Sequence, residues 1–176
     1  MAIRFDASNS AVFVSSYREG LLARVGHDVT FRVHRYYIDV DPNTLTMDAH
    51  FDATSLRLER ATADGKTPSD VSDRDRAEIE SNAAKDVLKA GQFPEVHFQS
   101  THVAPAGPGA YHVTGNLTLR GQTSQIQFAT RAENGRQVAD IKINQPDFGI
   151  EQFKALLGAL KIRPDLDIHV ELPWQG

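Results

Sequence analysis

Apolar and polar residues alternate with a period of two along most of this chain, the pattern of half-buried β-strands. Val29, Phe31 and Val33 share one parity, while Thr30, Arg32 and His34 share the other. The apolar parity then flips to Ile38 and Val40, which predicts a bulge near Tyr36-Tyr37. A strand from Leu45 to Leu58 sets Met47, Ala49, Phe51 and Ala53 against Thr46, Asp48, His50 and Asp52. Further alternating runs carry Val96, Phe98 and Ser100, then Tyr111, Val113, Leu117 and Leu119, then Ile126, Phe128 and Thr130, then Ala139, Ile141 and Ile143. The last run is the clearest, with Leu166, Ile168, Val170 and Leu172 against Asp165, Asp167, His169 and Glu171. With Ala11 to Tyr17 the total is about eight strands. Asp41-Pro42-Asn43, the Pro105 to Gly109 stretch, Gly121-Gln122 and Glu133-Asn134-Gly135 supply turns at short intervals. Such spacing predicts an antiparallel meander.

Two stretches change period. Ser72-Asp73-Arg74-Asp75 has the form of a capping box, and Ile79, Ala83, Val87 and Leu88 follow at helical spacing, with Gly91 as the stop. A second, short helix is expected over Glu151 to Leu160. Residues 59–71 are polar and carry Asp64-Gly65 and Pro68, which predicts a mobile loop. The fold class is therefore all-β with a minor helix: a single domain over 1–176, built as an antiparallel up-and-down β-barrel of about eight strands.

Composition narrows the function classes. At 176 residues the chain is long enough to bury a sizeable core without staples. Apolar residues make up 40% and charged residues 24%, which excludes wholesale disorder. The net charge of −4 argues against a nucleic-acid partner, which would need clustered Lys and Arg. Cysteine is absent, so disulfides, thiolate catalysis and Cys-type zinc sites are excluded. No apolar run approaches the ~20 residues of a transmembrane helix. Met1 to Asp6 lacks the basic start and apolar run of a secretory leader, so a cytoplasmic location is expected, and a periplasmic one only if a leader has been removed.

The sequence carries none of the phosphate-loop, nucleophile-elbow or H-E-x-x-H patterns, and no cofactor is expected. Asp48, His50 and Asp52 share one strand face, as do Asp165, Asp167, His169 and Glu171. Either set has the ligand types for a divalent ion, but both lie opposite apolar faces and read as solvated exteriors without a metal. Arg24, His27 and Asp28 surround Gly26 at a strand entry. They read as turn bonding, as a grip on an anionic headgroup, or as an oriented general base. The 9 phenylalanines are more suggestive, since several fall on the apolar strand faces. A barrel of eight strands either is filled by such side chains or holds a small ligand.

Three segments carry a resemblance to a known family. Phe93-Pro94-Glu95-Val96-His97-Phe98-Gln99-Ser100, Gly115-Asn116-Leu117-Thr118-Leu119-Arg120-Gly121 and Asp147-Phe148-Gly149-Ile150 resemble, in that order and spacing, motifs of the YceI-like family, and Asp6, Ser10, Val12 and Phe13 fit its opening strand. Pro146 stands where a basic residue often precedes Asp-Phe-Gly in that family. The resemblance covers nearly the whole chain. It implies a lipocalin-like barrel and non-enzymatic binding of a long apolar, isoprenoid-like lipid such as an isoprenoid quinone. By strand parity and position, the expected lining is Phe13, Phe31, Phe51, Phe98, Leu117, Phe128, Phe148 and Phe153. Arg24 and His27 are the candidate headgroup contacts. The alternatives are an enzyme acting on a small apolar substrate through His27, Asp28 and Arg24, or a solid barrel serving as a protein-interaction module. A homodimer is compatible with any of these.

Overall fold

The computed structural model describes residues 1–20, 27–62 and 70–174. In chain order the strands are β1 (Ile3–Asp6), β2 (Ala11–Ser16), β3 (Arg18–Glu19), β4 (Asp28–Val33), β5 (Tyr36–Val40), β6 (Met47–Asp52) and β7 (Leu56–Thr62). After helix α1 (Asp73–Ser81) come β8 (Glu95–Pro105), β9 (Tyr111–Leu119), β10 (Gln122–Glu133), β11 (Arg136–Asn144), β12 (Lys154–Ala155), β13 (Leu160–Ile162) and β14 (Asp165–Leu172). The main sheet is strongly curled and has 11 antiparallel strands in the order β1-β5-β6-β8-β9-β10-β11-β14-β2-β4-β7.

That order resolves into the expected meander. β1 and β2 are halves of one kinked run, as are β4 and β5, and β6 and β7. β1 pairs with β5 while β2 pairs with β4; β5 pairs with β6 while β4 pairs with β7. Eleven strands thus make eight long segments, each paired with the next, and β14 pairs back onto β2 to complete the circuit. The parity flip before Ile38 is a break at His34-Arg35, not a bulge at Tyr36-Tyr37. There the chain leaves one flank of the sheet order for the other, and the Ser55 hydroxyl accepts the freed N–H groups of His34 and Arg35 at 3.2 and 2.9 Å. The expected strand from Leu45 to Leu58 is likewise divided, by a 3₁₀ turn over Ala53–Ser55 that Asp52 caps through the Thr54 N–H.

The tight turns follow from residue type. Asn134 and Gly135 both have positive φ, the geometry that an Asn-Gly hairpin supplies. The β9–β10 turn uses Arg120-Gly121, one residue earlier than expected, with Leu119 paired to Gln122. Helix α1 starts as its capping box dictates, with the Ser72 hydroxyl accepting from the Asp75 N–H at 3.1 Å. It widens into a π-helical segment over Asn82–Val87, and Lys89 in the left-handed region (φ 47°) ends it before Gly91. The expected helix over Glu151–Leu160 is instead the hairpin β12–β13 around a 3₁₀ turn, which pairs with β3 in a small second sheet. β7 carries the chain as strand to Thr62, so residues 59–62 of the expected loop are strand, and residues 63–69 lie outside the described ones.

The helix guards an edge. β7 ends the sheet order, and the Leu58 N–H and C=O find their partners on the helix rather than on a further strand. Glu80 accepts that N–H at 2.8 Å and Arg76 donates to that carbonyl at 2.5 Å. Two side chains one helical turn apart thus replace a ladder rung and blunt an edge otherwise open to another strand. Ile79 and Ala83, four residues apart, pack on Val29, Phe31, Leu58 and Ala61, while Val87 and Leu88 reach the main core.

Candidate functional site: a two-chambered apolar interior

Because strand side chains alternate, one set from every long segment points inward. These residues do not fill the space they enclose. A lower chamber of about 130 Å³ is lined by Ala49, Phe98, Leu117, Phe128, Ala139 and Trp174 among others. Thr130 and Gln137 are buried polar residues on its lining, and they are linked: the Gln137 amide donates to the Thr130 hydroxyl at 2.7 Å and to the Gly109 carbonyl at 2.9 Å.

An upper chamber of about 450 Å³ lies between the inner faces of β2, β4 and β14 and a roof made by α1, its π-helical extension and β13. Val14, Phe31, Ile79, Leu88, Phe153 and Leu160 contribute its apolar wall. Asp75 and Glu78 on its lining are exposed and mark its rim with the half-buried His27 and Asn82, while Gln145 is a buried polar residue of the lining whose amide donates to the Arg163 carbonyl at 3.1 Å. The two chambers follow one another along the same strand faces. Val12 and Ile168 line the lower one; Val14 and Leu166, two residues along, line the upper one. Two residues of strand span roughly 6.8 Å.

The phenylalanines chosen by parity separate into groups. Phe51, Phe98, Leu117 and Phe128 line the lower chamber, with Phe98 tilted against Phe128 at 5.7 Å; Phe31 and Phe153 line the upper. Phe13 is a correction. Its parity is that of Ser15, and it lies on the outer face between its cross-strand neighbours Arg32 and His169, with the Arg32 guanidinium 5.6 Å from the ring centroid. Phe148 is also placed elsewhere: it is 1% exposed in the core, held by the 3₁₀ turn over Gln145–Phe148 that Gly149 (φ 68°) closes. Trp174, Val103, Tyr111, Ile168 and Val170 line the lower chamber without having been singled out. The alternation on β14 marks Ile168 and Val170, but a choice weighted to phenylalanine passes over them.

The polar candidates are placed as follows. Arg24 lies outside the described residues. His27 sits on the upper rim. Asp28 accepts the Arg18 backbone N–H at 2.9 Å and faces its guanidinium at 3.9 Å, so its carboxylate serves β3. On the outer face, Lys142 bridges Asp165 and Asp167 at 3.1 and 2.9 Å. His169 lies between Asp140 at 2.6 Å and Glu171 at 2.8 Å. Partial burial opposes a charge on this imidazole, but the hydrogen bonds to Asp140 and Glu171 outweigh it and raise its pKa. Asp52 turns from Asp48 and His50 to cap Thr54 and to bind Arg35 at 2.8 Å.

The family model for the YceI-like domain matches residues 4–173. The chain belongs to the YceI-like family. A UPF0312 protein of Pseudomonas putida strain W619 is 32% identical over 149 residues, covering 79% of this chain and 72% of its own length. One from Vibrio parahaemolyticus is 36% identical over 147 residues, covering 73% and 70%. Among solved structures, BcnA of Burkholderia cenocepacia superimposes with a TM-score of 0.65 at 20% identity, covering 95% of this chain and 97% of its own. A polyisoprenoid binding domain from Saccharophagus degradans, described as implicated in plant cell wall breakdown, gives a TM-score of 0.60 at 12% identity over 96% and 94%. These structures share the curled antiparallel fold of this YceI-like domain. Among its described residues no helix is long and apolar enough to cross a membrane.

Proposed function

We propose that this YceI-like domain binds a long apolar lipid of the isoprenoid class, without chemical conversion, with the tail in the two chambers and the polar end at the rim near His27. The observation that carries this reading is the succession of two apolar chambers along the same inner strand faces, the larger with the exposed Asp75 and Glu78 on its lining. The polyisoprenoid binding domain among the structural neighbours supports the ligand class.

Magnitudes decide how much of the interior the ligand needs. An apolar cavity of ~150 Å³ stays dry and takes a benzene-sized guest. The lower chamber, at about 130 Å³, therefore suits about one five-carbon unit. Burying five carbons contributes ~4 kcal/mol, no more than the 4–15 kcal/mol that association costs. The upper chamber is over three times larger, so a useful affinity requires a tail that occupies both.

Native mass spectrometry of gently purified protein, alone and with added polyprenols of graded length, tests the reading. A co-purified lipid mass, or retention that rises with chain length, is the expected result. Retention independent of length, with no co-purified lipid, would refute it.

A further inference from the structure

We infer that the outer face of β6 and β8 carries a site for a divalent transition-metal ion, formed by His50, His97 and Asp48. Strand alternation puts Asp48 and His50 on one face, and the sheet register brings in the third group. β6 pairs with β8 so that His50 lies directly opposite His97 and Asp52 opposite Glu95. The two imidazoles stack with centroids 4.3 Å apart, and both Nε2 atoms converge on one carboxylate. His97 Nε2 is 2.5 Å from Asp48 Oδ1, and His50 Nε2 is 3.6 Å from Asp48 Oδ2. One ligand atom from each residue falls within a span of 4.8 Å. Ligands ~2.0–2.1 Å from a tetrahedral zinc stand about 3.3 Å apart, so side-chain rotations of about an ångström suffice and the backbone need not move.

The surroundings point to metal ligation rather than to scattered surface polarity. Glu95 Oε1 is 2.7 Å from His50 Nδ1. A carboxylate accepting the Nδ1–H leaves the Nε2 lone pair aimed at Asp48, the second-layer arrangement that orients histidines on zinc. Tyr37 stacks on the other side of His50 at 4.8 Å and is itself covered by the Arg4 guanidinium at 4.1 Å, which limits the ring's freedom. The neighbouring acids are already engaged: Asp39 by Arg4 at 2.7 Å, Asp52 by Arg35 at 2.8 Å. Two imidazoles and one carboxylate select zinc, cobalt, nickel or copper over magnesium or calcium. The side chains are partly exposed, which leaves a coordination position open to solvent.

The position also suggests what the ion does. Asp52 and Glu95 are the last residue pair of the β6–β8 ladder, beyond which the Ala53 N–H still donates to the Pro94 carbonyl at 2.8 Å before β7 joins the other flank of the sheet order. A metal bound at the His50–His97 pair, two residue pairs earlier, clips two strands separated by 46 residues of chain.

Tag-free protein titrated with zinc by calorimetry, and with cobalt(II) by visible absorption, tests this. One equivalent bound, a tetrahedral cobalt spectrum, and a melting temperature raised by zinc and restored by EDTA are expected. His97→Gln and Asp48→Asn should each weaken binding at least tenfold. Glu95→Gln, at an exposed position outside the ligand set, should weaken it roughly tenfold. Asp52→Asn should leave it unchanged. A wild type that binds no tighter than His97→Gln would overturn the site. A Glu95→Gln variant with unchanged affinity would overturn the assigned geometry.

Discussion

Ala139→Leu separates a hollow interior from a packed one. Ala139 is 6% exposed, sits in β11 opposite Thr130 and Val170, and lines the lower chamber. The substitution adds three carbons to a wall facing a space of about 130 Å³. In a well-packed core such an insertion costs ~1–3 kcal/mol through strain. Here the added methyl groups enter free volume, and cavity filling of this kind commonly stabilises by about 0.5–2 kcal/mol. The same three carbons can no longer come from the ligand. At ~0.8 kcal/mol per carbon the loss is about 2.4 kcal/mol, or roughly fifty-fold in affinity. The loss should appear for polyprenols long enough to reach the lower chamber and vanish for short ones that occupy only the upper. The assay pairs urea denaturation of the ligand-free protein with competition binding of a short and a long polyprenol. A variant destabilised by several kcal/mol would mean the chamber is not free volume. Equal losses for both chain lengths would refute the order in which the tail fills the chambers.

Three further outcomes follow from the same geometry. Phe98 is 7% exposed and Phe128 only half-buried, so Phe98→Ala should cost ~3–5 kcal/mol of apo stability and Phe128→Ala distinctly less, as read by urea midpoints, while both weaken lipid retention. Glu80→Ala leaves the Leu58 N–H without its acceptor; a loss of ~1–3 kcal/mol and faster amide exchange at Leu58 are expected, and unchanged exchange there would contradict the edge-guarding role of α1. The raised pKa of His169 makes its contribution full below the unfolded value of about 6.5 and lost as pH rises through the folded value, while Asp140, lowered chiefly by its hydrogen bond to His169, contributes above about 3.9 and loses it as pH falls. The melting-temperature gap between wild type and His169→Gln should therefore be widest near pH 5–6 and shrink towards pH 8–9; a gap that grows with pH would reverse the assignment.

Much of the architecture was legible because its cause is local. Alternation along Asp165 to Leu172 needs only the two-residue pleat, and Asn134-Gly135 needs only a tolerance of positive φ. The errors arose where tertiary pairing overrode a local signal. Ala155 to Leu160 has helix-forming composition, yet β13 finds a strand partner in β3, far away in the chain. The parity flip after Val33 looks like a one-residue defect along the chain. In space it is the corner at which a long strand changes neighbours.

For the site, the sequence determined which residues of a strand share a face, that one of those faces is apolar, and that no thiolate or phosphate-loop chemistry is available. These are properties of residue type and two-residue spacing. It could not determine whether the inward faces meet. Cavity volume is the small difference between the span of the barrel and the side chains within it, and depends on strand stagger and on where the roof of α1 and β13 settles. Nor could it bring His97 to His50 and Asp48, or send Phe13 to Arg32 and His169. Those meetings depend on register between strands far apart in the chain, and a shift of one residue would carry every side chain to the opposite face.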